Sequence, residues 1–300
     1  MIFLSSSLVQ LLTALILDQV FGELRYWHPL VGFGRWVQWL EGRFYQPSAL
    51  RGLLLLLLAV FPFIGLLIWF DSPVVAIVVL YFSVGGRSLS EHALRVSDAL
   101  QRNDLDAARQ SVGMMVSRNT AEMTAEDVSR AAIESVLENG NDAVFGAVFW
   151  FLLLGPAGAL LYRLINTLDA MWGYITPRYR AFGYAAARLD DLLNFVSARL
   201  TALSYAAAGN FQSALESWRS QGRQWESPNA GPVMAAGAGA LQLELGGPAM
   251  YHGQWRDRPM LGYGKAPVPD DIDRATVLVR RALLLWLLVI ALVEGGKYLA

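Results

Sequence analysis

The chain of 300 residues contains no cysteine, and this absence excludes several kinds of site at once. Without a thiol there can be no disulfide, no thiolate zinc site, no iron–sulfur cluster and no cysteine nucleophile. Histidine is scarce as well: His28, His92 and His252 are far apart, so a histidine metal site is not expected. The sequence also lacks the phosphate loop G-x-x-x-x-G-K-[ST] and the nucleophile motif G-x-S-x-G.

Charged residues are few. They make up 16% of the chain, whereas an average soluble protein has about 25%. Hydrophobic residues make up 55% and the mean hydropathy is +0.37. The net charge of −1 offers no basic excess to neutralise phosphates, so no nucleic-acid partner is expected. This composition predicts an all-α, polytopic integral membrane protein in contact with membrane lipid.

Apolar runs define the expected organisation as a single polytopic domain. Residues 53–70 carry no charge and are long enough to span a bilayer, and residues 74–86 return after a turn at Asp71. The first apolar run has no positive n-region and no cleavage site, so we expect it to be retained. The predicted segments are N-terminal membrane helices (1–86), amphipathic extramembrane helices (87–142), a motif-bearing membrane or interfacial core (143–209), an extramembrane region (210–282) and a C-terminal membrane helix (283–300).

Residues 143–165 are apolar but are interrupted by Gly155 and Pro156. They could form one kinked span, or two half-helices that enter and leave on one side, and we favour the second interpretation. Non-helical backbone survives at membrane depth only where it is buried in protein or lines a cavity. The positive-inside rule places residues 87–142 in the cytoplasm, together with the first connection. That connection carries Arg25, Arg35, Arg43 and Arg51.

Three acids recur every four residues in "RAAIESVLENGNDAVF", residues 130–145. On a helix Glu134, Glu138 and Asp142 would form an acidic stripe, where like charges repel by about 0.2–0.5 kcal/mol per pair. The stripe runs directly into a membrane segment. A solvated helix face would explain it, and so would Mg²⁺, which takes one or two carboxylates plus substrate phosphate oxygens.

A second charged stretch, "AAARLDDLLNFVSARLTAL", occupies residues 185–203. Asp190 and Asn194 share one helical stripe, while Arg188, Asp191 and Arg199 share the neighbouring one. Charges near hydrocarbon are expensive and usually functional. Pairing between Arg188 and Asp191 is one explanation, but it leaves an aspartate and an asparagine, which favours a metal or phosphate site.

Two further motifs permit two interpretations each. In "NTLDAMWGY", residues 166–174, Asn166 and Asp169 share a helix face, an arrangement more typical of helix capping than of a site. The segment "SPNAGPVMAAGAGAL", residues 227–241, predicts a turn and then a helix N-terminus, where free N–H groups favour an anion. Its Ala and Gly residues allow close approach of another backbone or of a large flat ligand.

The order of these motifs resembles the CbiB/CobD family, adenosylcobinamide-phosphate synthase of cobalamin biosynthesis. The resemblance begins at "LDQVFGELRYWHPLVGFGRWVQWLE", residues 18–41, and covers most of the chain. Two departures concern details of the pocket. The sequence has Gly22-Glu23-Leu24 where the family usually has Gly-Asp-Pro, and Pro232-Val233 where it usually has Trp-Pro.

The resemblance implies a multi-pass enzyme of the bacterial inner (plasma) membrane. Such an enzyme joins adenosylcobyric acid, a corrinoid, to (R)-1-aminopropan-2-ol or its phosphate, consumes ATP, and could assemble with other membrane-bound cobalamin-assembly enzymes. ATP would convert the carboxylate to an acyl phosphate, which the amine attacks. Mg²⁺ would neutralise the phosphates, cationic side chains would hold the transferring phosphoryl group, and a carboxylate would take the ammonium proton.

The candidate residues follow from these motifs, and the acids at 134–142 and 190–191 are expected to face one polar cavity. Catalytic roles are expected for Glu134, Glu138, Asp169, Asp190 and Asp191. The expected metal ligands are Glu138, Asp142, Asp190 and Asp191. Substrate and ATP contacts are expected from Asn139, Asn166, Arg178, Arg180, Arg188, Asn194, Arg199, Ser227, Asn229 and Gly231.

Two other functions are alternatives to this one. An AmpE-like membrane sensor would share the scaffold without ligase activity, but it would not need five acids together. A membrane alcohol-phosphotransferase is rejected. That class expects a glycine after its paired acids and two further aspartates at four-residue spacing, and neither follows Asp191.

Overall fold

The computed structural model describes residues 6–23, 28–70, 72–251 and 254–299. The structure is 77% helical with almost no sheet, and four stretches are long and apolar enough to span a membrane. These are Ala49–Leu67, Pro73–Gln101, Ala125–Trp172 and Asp270–Gly296. The predicted all-α, polytopic membrane class is therefore confirmed. Some sequence predictions concern positions outside the described residues, namely the start of the first apolar run, Leu24, Arg25, Asp71 and His252.

Thirteen α-helices occur in the described residues. They are α1 Ser7–Phe21, α2 Pro29–Phe44, α3 Ala49–Ile68, α4 Pro73–Ser83, α5 Gly86–Gln101, α6 Leu105–Gly113, α7 Ala125–Gly140, α8 Gly146–Trp172, α9 Tyr179–Phe182, α10 Tyr184–Ala208, α11 Phe211–Gln221, α12 Ala230–Leu241 and α13 Asp270–Leu299. A π-helical turn, Asn141–Phe145, lies between α7 and α8, and a 3₁₀ turn, Gly222–Gln224, follows α11.

The helices form two compact units that alternate along the chain. The first comprises Met1–Arg87 and Asp142–Asn194, and the second comprises Ser88–Asn141 and Phe195–Ala300. The first unit has a core in which α2, α3, α8, α9 and the start of α10 meet, including the buried side chains of Val37, Ala59, Leu168, Trp172 and Phe182. The single polytopic domain stays a prediction, because a division into two compact units does not show how the chain is organised in a membrane.

Helix α8 is broken where the sequence predicts it. Gly155 has φ 63° and ψ −154°, in the left-handed region that favours glycine, and Pro156 follows it. The chain then folds back: a Cβ on Gly158 would lie 2.3 Å from the carbonyl oxygen of Trp150. In an unbroken helix, residues eight positions apart are separated by about 12 Å along the axis. The broken helix pair is therefore confirmed, while the side from which it enters the membrane stays a prediction.

The second unit is built around α12, every residue of which is buried. A Cβ on Gly237 would lie 2.6 Å from the side chain of Leu137 on α7. A Cβ on Gly239 would lie 2.4 Å from the carbonyl oxygen of Ser213 on α11. At these two positions the missing side chains allow close packing against α7 and α11, which is one of the two interpretations of this segment.

Two short antiparallel strand pairs follow α12, and the sequence analysis did not predict them. Strand β1, Leu245–Gly246, pairs with β4, Met260–Leu261, and β2, Ala249–Tyr251, pairs with β3, Gln254–Arg256. Strands of two or three residues are too short to show an alternating pattern. Gly246 and Gly247 have φ of 77° and 78°, so the turn between β1 and β2 uses glycine's access to the left-handed region.

Candidate functional site

A hydrogen-bonded carboxylate on α10 is the centre of the polar network in the first unit. One oxygen of Asp190 accepts from Asn166 Nδ2 on α8 at 3.2 Å, and the other accepts from Asn194 Nδ2 at 3.0 Å. Both partners are neutral amides. Burial raises the pKa of Asp190 to about 6 and the charge of Asp191 adds to the rise, while the two hydrogen bonds oppose it. The structure thus joins Asn166, Asp190 and Asn194, three of the predicted site residues.

The network continues into the core through Tyr162. The buried Tyr162 hydroxyl donates to Asn194 Oδ1 at 2.8 Å and lies 3.3 Å from the carbonyl oxygen of Asp142. Asn194 is therefore fixed in orientation, because its oxygen accepts from Tyr162 while its nitrogen donates to Asp190. A carboxylate held in this way, with a pKa close to neutral, is suited to accept a proton from a reacting group.

Asp191 points to a different environment. Its carboxylate accepts from Arg188 at 3.2 Å, and the Arg188 side chain is 64% exposed. The guanidinium also lies 5.4 Å from the centre of the Tyr184 ring. Burial raises the pKa of Asp191, and the charge of Arg188 opposes the rise. The pairing that sequence spacing suggested for Arg188 and Asp191 is thus present, and Asp190 stands outside it.

Arg178, a predicted phosphate ligand, is held by an acid that the sequence analysis did not single out. Glu41 on α2 accepts from Arg178 Nη2 at 2.8 Å, from Tyr179 at 2.9 Å and from Trp172 Nε1 at 3.0 Å. The Arg178 guanidinium also lies 4.1 Å from the centre of the Tyr45 ring. These contacts join α2 to the last residue of α8 and to the residues that follow it.

Two other predicted residues lie near this end of α8. A Cβ on Gly173 would lie 2.0 Å from Oδ1 of Asp169, so the absent side chain leaves room for the carboxylate. Gly173 N also donates to the Asp169 carbonyl at 2.7 Å, as expected of the capping interpretation. Arg180 is exposed on α9. The catalytic role of Asp169 and the substrate roles of Arg178 and Arg180 stay predictions.

The acidic stripe of α7 is not a solvated face at Glu134, whose side chain is 1% exposed. In the second unit this carboxylate is paired with Arg118 and accepts from Arg258 Nη1 at 3.0 Å. It also accepts from the backbone N–H of Gly246 at 2.8 Å. A buried charge needs such partners, because desolvating it without them is very costly.

Asn139, which follows the second acid of the stripe, is partly buried. Asn139 donates to the carbonyl and hydroxyl oxygens of Ser135 at 2.9 and 3.0 Å, one turn earlier on α7. Glu138 is partly buried as well. The substrate role of Asn139 and the catalytic or metal role of Glu138 stay predictions.

The SPNAG segment forms the predicted turn and helix start, and the structure joins it to a predicted arginine. Ser227 Oγ accepts from the backbone N–H groups of Asn229 and Ala230 at 3.3 and 3.1 Å. Arg199 donates to Asn229 Oδ1 at 2.6 Å and to the Pro228 carbonyl at 2.9 Å. A Cβ on Gly231 would lie 2.2 Å from the carbonyl oxygen of Gly222. Arg199, Ser227, Asn229 and Gly231 are thus neighbours within the second unit.

Comparison with known proteins assigns the chain to a family. A family model described as CobD/Cbib protein matches residues 11–279. The chain is 54% identical to the cobalamin biosynthesis protein CobD of Chromobacterium violaceum, across 91% of this chain and 92% of that protein. It is 50% identical to the protein of that name from Stutzerimonas stutzeri, across 97% and 98%. The chain belongs to the CobD/CbiB family. No solved structure matches it.

This CobD/CbiB chain has a polar group that sequence reasoning missed. A Cβ on Gly85 would lie 3.7 Å from Glu23 Oε1 and 3.9 Å from Arg163 Nη2. A carboxylate and a guanidinium group therefore both lie close to this glycine. His28 Nδ1 accepts from Leu30 N at 3.3 Å. Burial lowers the pKa of His28, Arg163 lowers it further, and Glu23 opposes them. Arg163 could have been found as the one basic residue within the apolar run 143–165.

A second contact that the sequence does not predict joins α1 to Arg87, near the start of α5, within the first unit. The carboxylate of Asp18, 2% exposed, accepts from Arg87 N at 2.9 Å. The Arg87 guanidinium donates to the carbonyls of Gln19 and Val20 at 2.9 and 2.7 Å, where α1 ends. The signal for this contact was the acid at the end of an apolar run.

The predicted metal ligands fall in both units: Glu138 lies in the second, and Asp142, Asp190 and Asp191 lie in the first. Across the described ranges, no group of three or more His, Asp or Glu side chains is arranged to hold a metal ion. Mg²⁺ requires fewer, since one or two carboxylates plus substrate phosphates suffice. The magnesium site and the shared cavity stay predictions.

Proposed function

We propose that the chain is a cobalamin biosynthesis ligase of the bacterial inner membrane. It converts adenosylcobyric acid to adenosylcobinamide or its phosphate, by forming an amide with (R)-1-aminopropan-2-ol or its phosphate at the expense of ATP. Membership of the CobD/CbiB family supports a role in cobalamin biosynthesis. The relatives compared above carry the cobalamin name and not that of a sensor. Four candidate spans support a multi-pass membrane location.

The observation that carries the reaction type is the Asp190 network. Transfer of the ATP γ-phosphoryl group to the corrinoid carboxylate gives ADP and an acyl phosphate. The amine then forms the C–N bond as the acyl C–O bond to phosphate breaks. The ammonium nitrogen loses two protons, of which one leaves with inorganic phosphate as HPO₄²⁻ and the other must be accepted by a base. Asp190, with a pKa of about 6, is largely ionised at neutral pH and can take that proton. Asn166 and Asn194 hold its two oxygens in place.

The oxygen-rich donor set of this region suits a hard cation. We propose that either Asp142 or Asp191 would hold Mg²⁺ together with ATP phosphate oxygens, because Mg²⁺ prefers carboxylate and phosphate oxygen and one protein carboxylate suffices. When bound, Mg²⁺ would neutralise the charge that develops on the phosphates. Asp190 then remains available to accept the proton from the ammonium group.

The test is a reaction with purified full-length protein in lipid nanodiscs. Adenosylcobyric acid, ATP and Mg²⁺ are incubated with aminopropanol or with its phosphate, and products are followed by mass spectrometry. We expect an ATP-dependent amide with one of the two amines and one ADP released per amide. Omission of ATP is the control. Absence of amide with both amines would remove the proposed function.

A further inference from the structure

The second unit contains a cavity of about 110 Å³, and the two arginines that pair with Glu134 are part of its lining. It lies beside the start of α7 and the β2–β3 hairpin. Three arginines line it, together with Asn119, Met250, Trp255 and two acids, Glu122 and Asp127. We call it the arginine pocket, after Arg118, Arg130 and Arg258. Three guanidinium groups around one small cavity are unusual, because arginine is rarely buried unless it is paired.

Two of these arginines are held in place by one buried acid. Arg258 donates to both oxygens of Glu134, at 3.0 and 3.3 Å, and its Nε donates to the Gly247 carbonyl at 2.9 Å. Its guanidinium lies 5.0 Å from the centre of the Trp225 ring. Arg118 is paired with Glu134 as well. Two guanidinium groups share one carboxylate, so this part of the pocket keeps one positive charge.

The third arginine has a donor that no described residue accepts. Arg130 Nε is buried and lacks a hydrogen-bond partner in the part of the chain that the structure describes. Its terminal nitrogens pair with Glu126 and Asp127, whose side chains are 49% and 45% exposed. Solvent screens those two charges. A buried unsatisfied donor in a native structure calls for an explanation, such as a bound group.

We propose that the arginine pocket binds a phosphate group of a substrate. Guanidinium forks match phosphate oxygens in geometry and charge. The volume is well below the roughly 300–1,000 Å³ of pockets for drug-sized ligands. It therefore fits one phosphate group or a small phosphate ester and not a whole nucleotide. The source of the phosphate rests on the proposed function, which brings two: the amino-alcohol phosphate and ATP.

The first test measures binding of inorganic phosphate, aminopropanol phosphate and ATP to the full chain by titration calorimetry. Arg130→Gln removes the unpartnered donor, and we expect its phosphate dissociation constant to rise about 10-fold or more, as for loss of a charge-assisted hydrogen bond. Arg130→Lys, which keeps the charge, should give a smaller rise. Arg219→Gln, an exposed arginine of α11, is the matched control and should leave binding unchanged.

The outcomes separate the two sources. Weakening of the amino-alcohol phosphate alone assigns the pocket to that ester, and weakening of ATP as well assigns it to a nucleotide phosphate; both support the proposal. Unchanged phosphate binding in a folded Arg130→Gln or Arg130→Lys protein overturns it, as does wild-type protein that binds no phosphate. Because binding is measured without turnover, this result is independent of whether the amide forms.

The second test locates the bound phosphate. The chain has no cysteine, so Glu122→Cys, an exposed residue of the pocket lining, provides a unique thiol. Inorganic phosphate at saturating concentration should slow its labelling by a thiosulfonate reagent several-fold. The same substitution at the exposed Arg219 should label at one rate with and without phosphate. Equal rates at both positions would contradict binding in the pocket.

Discussion

Each unit contains a hydrogen-bonded acid that is partly or fully buried, and the two acids have opposite surroundings. Asp190, in the first unit, accepts hydrogen bonds from two neutral amides. Glu134, in the second, is paired with two guanidinium groups. Amide partners orient a carboxylate but leave it able to bind a proton, whereas cations hold it ionised and fixed. The difference supports the proposed role of Asp190 as a proton acceptor and suits Glu134 to positioning its two arginines.

The largest expected effect tests the proton-acceptor half of this comparison. Asp190→Asn keeps the shape of the side chain but removes its basic oxygen. We expect the rate of amide formation to fall by about 10²–10⁴-fold, the usual contribution of a general base. The change in stability at neutral pH should be small, because the removal of a buried charge is offset by an amide NH2 that faces the Nδ2 donor of Asn166 or Asn194. Single-turnover kinetics and thermal unfolding of the same preparation provide the measurement; a well-folded variant with wild-type turnover would exclude Asp190 as the base.

The second prediction tests the positioning half. Glu134→Gln leaves the charges of Arg118 and Arg258 without their buried counter-ion. Loss of one partner from a buried pair typically costs about 3–5 kcal/mol, and we expect a loss of unfolding free energy of that order. The matched control is Glu126→Gln. Glu126 pairs with Arg130 but is 49% exposed, so its loss should cost about 1 kcal/mol or less. Similar losses in the two variants would show that Glu134 has no special structural role.

The sequence predicts part of the Asp190 network but not the partners of Glu134. Asp190 and Asn194 are four residues apart on one helix, so their proximity follows from helical geometry alone. The partners of Glu134 are 16 and 124 residues away in the chain, at Arg118 and Arg258. No periodic pattern encodes contacts of that range.

The same limit explains other successes and failures. The break in α8 was predictable because Gly155 and Pro156 act locally on the backbone. The contact between Glu41 and Arg178 spans 137 positions, so the sequence suggested phosphate binding for Arg178 and not this ion pair. The short strands after α12 are held by pairing and by glycine turns, and their sequence has no strand-like alternation.

The third prediction concerns the pH dependence of stability. In the folded protein the pKa of Asp190 is about 6, above the ordinary value of 3.8 that it takes in the unfolded chain. The folded state therefore binds this proton more tightly than the unfolded state. The resulting stabilisation is fully present below about pH 4 and is lost as the pH rises through 6. At about 1.36 kcal/mol per pKa unit, the change is about 2–3 kcal/mol. In chemical unfolding between pH 4 and 7, the unfolding free energy of wild type should fall relative to that of Asp190→Asn as the pH rises. Parallel curves for the two proteins would contradict the raised pKa.

The smallest expected effect distinguishes Asp191 from its neighbour. Arg188, its partner, is 64% exposed, so Asp191→Asn should change the unfolding free energy by at most about 1 kcal/mol. The variant should therefore accumulate normally, and a collapse of amide formation would then reflect Mg²⁺–ATP binding and not misfolding. The charge of Asp191 also helps to raise the pKa of Asp190. The pH–rate profile of any residual activity of Asp191→Asn should therefore have its acidic limb at lower pH than that of wild type. In Arg188→Gln the acidic limb should lie at or above the wild-type pH. A limb at the same pH in Asp191→Asn and wild type would mean that the two aspartates titrate independently.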